Sequence, residues 1–271
     1  MRTQTNHLLL FDAECLVCDA YTQALVKKGL IESYGRKAYQ QELNGSNCPF
    51  IDRERAVNEI ALVNLQTGEV SYGAESILRL YAVENPALKK VLKFRPLMWI
   101  LNKLYAFISL NRRVILPPTK QLYGLQPALK LHYRITYLVI TWFITAAILT
   151  RYTLLLADFI PVGGSFREYI ICGGQIIFQG LVVSFIANAK KWDYLGNMMT
   201  ISFAGALLLG LMLIAANWIG QHPTIYLGYF MCVVGLMFLE HIRRTQLLKL
   251  GWWLTISWAT YRVLVLLLIL I

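Results

Sequence analysis

Residues Leu8–Cys18 read LLLFDAECLVC, and this stretch decides the fold of the first half of the chain. The apolar run predicts a short buried strand over His7–Phe11, and the cysteines after it predict the start of a helix over Cys15–Lys28. Cysteines at positions i and i+3 lie on one side of the first helical turn, within reach of a disulfide. A helix N-terminus carries partial positive charge, which favours the thiolate of the leading cysteine. The pair therefore predicts thiol–disulfide exchange.

Composition divides the chain into two halves. The 271 residues are 57% hydrophobic, with a mean hydropathy of +0.50 and a net charge of +11. The apolar excess lies in the second half. The sequence predicts a domain over 1–116, a linker over 117–133 and an all-α transmembrane domain over 134–271. The basic charge suits an anionic lipid surface, and no pattern typical of nucleic-acid binding accompanies it.

The first half predicts an α/β domain. A second strand is expected over Lys37–Leu43, and a hairpin is expected from Glu59–Leu65 and Glu69–Tyr72. Gly73 then leads into a helix over Ala74–Tyr81, and a longer helix is expected over Leu97–Val114. This order, with Cys-x-x-Cys after the first strand, is close to a thioredoxin-like plan.

Roles within the cysteine pair follow from position. We expect Cys15, at the helix start, to be the more accessible sulfur and the attacking thiolate, and Cys18 to resolve the mixed disulfide. Asp12 either carries the proton or caps the free N–H groups of the helix, and both roles are compatible. Glu14 is expected in solvent.

A zinc site is the sharper competing hypothesis. Cys15, Cys18, Cys48 and His7 offer four ligands, and Cys-x-x-Cys is a common half-site. His7 and Cys15 lie at opposite ends of the first strand, which argues against their convergence. No metal ligand is therefore assigned. Cys48 remains either a third redox thiol or an incidental loop cysteine.

Five apolar segments of the second half are long enough to cross a membrane. Basic residues fall in alternate loops, so the positive-inside rule places the first domain in the cytoplasm and the C-terminus outside. The two cysteines of this half, Cys172 and Cys232, are expected to be small buried hydrophobes. The five segments are 135–157, 166–188, 195–218, 223–242 and 250–271.

Polar residues inside these segments leave two interpretations open. Arg262 either pairs with Glu240 between helices, or both line a pathway together with Gln175 and Gln179. The second interpretation makes the chain a small membrane transporter or a partner-binding scaffold with a regulatory first domain.

Residues 7 to about 115 resemble the DCC family of predicted thiol-disulfide oxidoreductases, named for an Asp-x-x-Cys-x-x-Cys signature. Asp12, Cys15 and Cys18 match that signature. The later features are the helix start Gly73–Ser76 and Tyr105 with Asn111-Arg112. The family often has Gly after the Asp and Pro after the first Cys, where this chain has Ala13 and Leu16.

The sequence thus predicts a multi-pass protein of the cell membrane with thiol-disulfide oxidoreductase activity. Its expected partners are a protein or small thiol/disulfide substrate and the lipid bilayer. The redox-active dithiol takes the place of a bound cofactor. The cytosol keeps such dithiols reduced, so the pair would rest as thiols.

Overall fold

The computed structural model describes residues 6–45, 51–118, 126–220 and 222–271, including their side chains except those of 43–45. The chain divides into two compact units, Met1–Tyr133 and Arg134–Ile271. The first unit contains a small mixed sheet of four strands among helices, and the described part of the second unit is helical.

The first unit begins with a strand, a turn and a helix, as the sequence predicts. Later helices α2, α3 and α5 were not expected. In chain order its elements are β1 His7–Phe11, α1 Leu16–Lys27, β2 Arg36–Ala38, α2 Tyr39–Gly45, α3 Arg53–Asn58, β3 Ala61–Asn64, β4 Val70–Tyr72, α4 Ala74–Tyr81, α5 Pro86–Lys93 and α6 Arg95–Ile115.

The four strands are ordered β2-β1-β3-β4. β1 is parallel to β2 and antiparallel to β3, which is itself antiparallel to β4. Successive residues of β1 point to opposite faces, so Leu8 and Leu10 join one apolar cluster while Leu9 and Phe11 join another. β1 is thus buried on both faces, and this packing fixes the position of the turn that follows it.

The hairpin prediction is confirmed, with Ala61 opposite Tyr72 across β3 and β4. The second-strand prediction over Lys37–Leu43 is wrong in extent. β2 ends at Ala38, and the chain enters α2 at Tyr39. Two physical reasons are evident. The residues after Ala38 include good helix formers, and the buried Gln40 turns its side chain toward Asp12.

The second unit contains four apolar helical segments long enough to cross a membrane, which indicates membrane association. The segment Arg167–Ile219 is 53 residues long and includes two helices joined by a 3-10 turn at Asn188–Lys190. These two helices contact each other, since Tyr194 donates a hydrogen bond to Gln179. The helices of the unit are α7 Leu131–Tyr152, α8 Arg167–Ala187, α9 Lys191–Ile219, α10 Pro223–Leu247 and α11 Trp253–Leu270.

Three basic connections of this unit meet at one end of its helices. Arg134, near the start of α7, donates to the carbonyl of Trp192 at the start of α9 over 3.2 Å. Lys190, in the turn between α8 and α9, donates to the carbonyl of Leu248 after α10 over 2.7 Å. Basic residues that are far apart in the sequence therefore lie together.

Candidate active site

The turn between β1 and α1 positions the cysteine pair. Cys15 is the residue that begins α1, with extended backbone angles (φ −92°, ψ 110°). Its N–H donates to the carbonyl of Asp12 over 3.2 Å, and its carbonyl accepts the N–H of Asp19 over 2.9 Å. The first of these bonds stabilises the turn, and the second is the first hydrogen bond of the helix. Cys15 therefore lies among the free N–H groups of the first helical turn.

The two thiols form a hydrogen-bonded pair, and their pKa values shift in opposite directions. The hydrogen bond from the Cys18 side chain, supported by the Cys18 backbone N–H and the positive charge of Arg112, lowers the pKa of Cys15 to about 6. Burial and the Asp12 charge oppose this shift. The same hydrogen bond, together with burial, raises the pKa of Cys18. Cys15 is therefore the thiolate of the pair at neutral pH, and Cys18 holds the proton.

The solvent exposure of the two cysteines is in the opposite order from that expected, because Cys15 is the more buried of the two. Cys15 as a whole residue is only 5% exposed, whereas Cys18 is half-buried. The turn that carries Cys15 is covered by side chains of α2 and α6, which the sequence alone did not place there. The neighbours Leu16 and Val17 are more than half exposed and form an apolar surface beside the pair.

Asp12 lies at the centre of a buried hydrogen-bond network. Its carboxylate accepts Arg112 at 2.7 and 3.2 Å and the Gln40 amide at 2.6 Å. It also accepts the N–H of Glu14 at 3.1 Å, which precedes the helix. The cap hypothesis for Asp12 is therefore wrong in its detail, because the side chain stabilises the turn and no helical N–H. The negative charge of its carboxylate also raises the pKa of both cysteines.

Glu14 is not in solvent, contrary to the sequence-based expectation. It is 8% exposed and accepts a hydrogen bond from Arg113 at 2.9 Å. Arg113 also lies 3.7 Å from Asp12. Two consecutive arginines of α6 thus pair with two acidic residues of the turn. A buried carboxylate keeps its charge only with such a partner.

The later features of the DCC-like pattern converge on the start of β3. The Tyr105 hydroxyl accepts the N–H of Ile60 at 2.9 Å, and Gly73 donates its N–H to the carbonyl of the same residue. Gly73 has a φ of +62°, and a Cβ there would lie 2.9 Å from Glu59 and 3.1 Å from Tyr105. Only glycine fits that position without displacement. Residues far apart in the sequence therefore support one structural region.

The zinc hypothesis gains nothing from the described residues, which include no group of three or more His, Cys, Asp or Glu side chains placed for a metal. Cys48 lies outside the described residues. His7 is paired with Asn64 at the start of β1, at the far end of that strand from the cysteine turn.

The polar residues of the membrane unit do not form one pathway. Glu240 pairs with Arg243 and Arg244, so the expected pair with Arg262 is wrong. Arg262 and Gln175 line a cavity that admits no water molecule. Gln179 belongs to a separate network in which Tyr194 reaches the Nε2 of the buried His241 at 3.2 Å. The transport hypothesis required these residues to converge.

Sequence reasoning missed the role of His241, whose ring stacks on Trp258 and whose Nδ1 lies 3.0 Å from Thr255. Its helical spacing from other polar residues gave no signal, because the network joins four different helices. Of the other two cysteines, Cys172 is buried as expected, whereas Cys232 is exposed.

Comparison with known proteins finds no matching family model, no similar curated protein and no similar solved structure. The resemblance to the DCC family therefore depends on the motif residues, and the function depends on the chemistry of the turn between β1 and α1.

Proposed function

We propose that this chain is a membrane-associated thiol-disulfide oxidoreductase of the DCC type that acts through Cys15 and Cys18. The observation that carries the proposal is the position of Cys15 and Cys18 in the first turn of α1, beside the buried pair of Arg112 and Asp12. There the hydrogen bond from Cys18 lowers the pKa of Cys15 to about 6, and the same bond raises the pKa of Cys18. A structural cysteine buried among apolar side chains would have its pKa raised instead.

The proposed reaction proceeds through a mixed disulfide. The Cys15 thiolate attacks one sulfur of a substrate disulfide, the substrate S–S bond breaks, and the other substrate sulfur leaves as a thiolate. Cys18 then loses its proton and attacks the Cys15 sulfur. The substrate leaves with both sulfurs reduced, and the chain keeps the Cys15–Cys18 disulfide. A small thiol or a protein dithiol returns the pair to its reduced state.

Asp12 and Arg112 act in this proposal as positioning residues. Arg112 contributes positive charge that favours the Cys15 thiolate, and Asp12 holds both the guanidinium and the turn in place. Asp12 is also a candidate to receive the proton that Cys18 gives up, since its negative charge raises the pKa of both thiols.

The first unit supports a thioredoxin-like assignment. Its core runs strand, helix, strand, then an antiparallel hairpin and a helix, in the spatial order β2-β1-β3-β4. In proteins of that plan the redox cysteines follow the first strand, as Cys15 and Cys18 follow β1 here.

Clustering of basic residues supports a cytoplasmic first unit. Arg134 and Lys190, from two connections of the membrane unit, contact the neighbouring helix ends at one side of the unit. The positive-inside rule puts such an end in the cytoplasm, on the side from which the N-terminal domain enters α7. The proposal therefore places the dithiol in a reducing compartment, in a multi-pass protein of the cell membrane.

The proposal is tested by trapping. Full-length Cys18→Ser should accumulate mixed disulfides, because Cys15 can attack and no thiol remains to resolve the product. Cys15→Ser should accumulate none. The matched control is Cys232→Ser, which removes an exposed cysteine outside the pair. Adducts are separated on non-reducing gels from membranes quenched in acid and identified by mass spectrometry.

Equal trapping by the Cys15→Ser and Cys18→Ser variants would reject the assigned roles. Absence of any adduct with Cys18→Ser, together with zinc in the purified wild-type chain at one equivalent, would favour the metal hypothesis instead.

A further inference from the structure

Helix α6 carries an apolar line that faces away from the domain core. Trp99, Ile100, Leu104 and Ile108 are 63%, 48%, 55% and 60% exposed, and we call these four residues the α6 stripe. Spacings of four residues place the last three on one side of the helix. Phe94, just before the helix, extends the exposed apolar surface at 58% exposure.

The stripe is not a core surface that happens to be loosely packed. The core-facing side of α6 carries the buried Met98, Ser109 and Arg112, and near the end of the helix Asn111 and Val114 are buried as well. That side contacts the cysteine turn through Arg112, which donates to Asp12, while Ser109 donates to the carbonyl of Asn58. One face of the helix packs in the core, and a second apolar face is exposed to solvent. An exposed apolar face of this kind is typical of a surface that binds a membrane or another protein.

The charged residues of the segment that contains the stripe are all of one sign. Residues 86–118 include seven Lys and Arg and no Asp or Glu. Arg112 and Arg113 pair with the cysteine turn, and the other five are exposed and form no ion pair within the described part of the chain. These five are Lys89, Lys90, Lys93, Arg95 and Lys103.

Two details fit the headgroup region of a bilayer. The Lys103 ammonium lies over the Trp99 ring at 5.9 Å from its centroid, so a positive charge lies directly against an aromatic residue of the stripe. Tryptophan itself is enriched at the boundary between lipid and water.

Lipid is also within reach by chain connectivity. Residues 116–130 join the end of α6 to the start of α7, which belongs to an apolar segment long enough to span a membrane. Fifteen residues cover at most about 50 Å when fully extended. Positive charge and a short connection therefore favour the membrane surface over another protein as the partner of the stripe.

We propose that the α6 stripe docks on an anionic lipid leaflet, with its apolar side chains below the headgroups and the five basic residues on the lipid phosphates. Interfacial helices of this kind gain from both buried apolar area and attraction to anionic lipid. This inference concerns a different surface from the redox pair and does not depend on the proposed function.

The experiment places a photoreactive p-benzoylphenylalanine at Leu104 of the full-length chain in nanodiscs. The control places the same probe at Tyr34, which is 65% exposed in the same unit. One set of discs contains phosphatidylcholine alone, and the other also contains phosphatidylglycerol. We expect lipid adducts at position 104, several times fewer at position 34, and more at position 104 with phosphatidylglycerol.

Charge removal gives an independent measurement on the same protein. One basic residue near an anionic surface contributes about 1 kcal/mol, so Lys93→Gln should weaken docking about fivefold in the anionic discs. The same change should have little effect in neutral discs. Unchanged alkylation of Cys15 in each variant verifies that the unit is folded.

Three results would overturn the proposal. These are equal lipid labelling at positions 104 and 34, labelling at 104 that is indifferent to phosphatidylglycerol, and adducts at 104 with a second copy, another protein or the chain itself in place of lipid.

Discussion

Removing the Cys18 thiol should make Cys15 a weaker acid. The largest cause of the lowered pKa of Cys15 is the hydrogen bond from the Cys18 side chain. A hydrogen bond to a charged group contributes about 1.5–3 kcal/mol, which is about one to two pKa units. In Cys18→Ala the pKa of Cys15 should therefore rise from about 6 toward about 7 to 8. Cys18→Ser keeps a hydroxyl donor and should restore part of the shift.

The effect is large at physiological pH. A thiol with a pKa of 6 is about 90% ionised at pH 7, whereas one with a pKa of 9 is about 1% ionised. Since the thiolate is the reacting form, the reaction rate of Cys15 in the wild type should rise with pH through about 6 and level off near neutrality. In Cys18→Ala that rise should move to higher pH.

The assay is the rate of iodoacetamide alkylation of the Cys15 peptide, followed by mass spectrometry of the full-length chain between pH 4.5 and 10. Peptide mapping separates the peptide of Cys15 and Cys18 from those of Cys172 and Cys232, and fragment ions assign the label to Cys15 or Cys18. Limited access slows the reaction at every pH and leaves the midpoint unchanged, so the low exposure of Cys15 does not obscure the result. A wild-type midpoint near 9, or the same midpoint in wild type and Cys18→Ala, would refute the electrostatic argument.

Three further substitutions test which contacts stabilise the first unit around the cysteine turn. The free energy of unfolding is measured by hydrogen exchange of β1 and β3 in the full-length chain. Arg112→Met should cost about 3–5 kcal/mol because it leaves the buried Asp12 unpaired, and adding Asp12→Asn should recover much of the loss. Gly73→Ala should cost about 2–3 kcal/mol from its positive φ and close neighbours, whereas Gly251→Ala, with a similar φ in open space, should cost about 1–2 kcal/mol and leave β1 and β3 unaffected. Tyr105→Phe should cost about 1–3 kcal/mol, since a backbone N–H loses its acceptor.

Local patterns were enough to predict the elements that surround the cysteines. The apolar run before Asp12 predicted β1, and the positive φ of Gly29 ends α1 where expected. The turn Gln66–Gly68 predicted the hairpin, because turn residues between two apolar runs fix a local geometry. The helix expected over Leu97–Val114 is observed as Arg95–Ile115, with its proline in the first turn, where no N–H is required.

Contacts between distant parts of the chain could not be predicted in the same way. Asp12 and Arg112 are 100 residues apart. The local sequence around either residue does not predict that it contacts the other. The error over Glu14 has this origin, since its burial depends on an arginine 99 residues away. The end of β2 likewise depends on Gln40 reaching Asp12. Such pairs are set by tertiary packing, which the local sequence pattern does not specify.

Helix α6, late in the first unit, supplies the positive charges that pair with the cysteine turn near the N-terminus. The turn carries two acidic residues beside a thiolate, and three negative groups in a buried region repel one another. Arg112 and Arg113 pair with these two acidic residues, and the Arg112 charge adds to the Cys18 hydrogen bond that lowers the pKa of Cys15. The same helix presents its other apolar face outward. Arg95–Ile115 thus combines a side that pairs with buried carboxylates and a side of exposed apolar residues, and the second is the surface that we propose to dock on lipid.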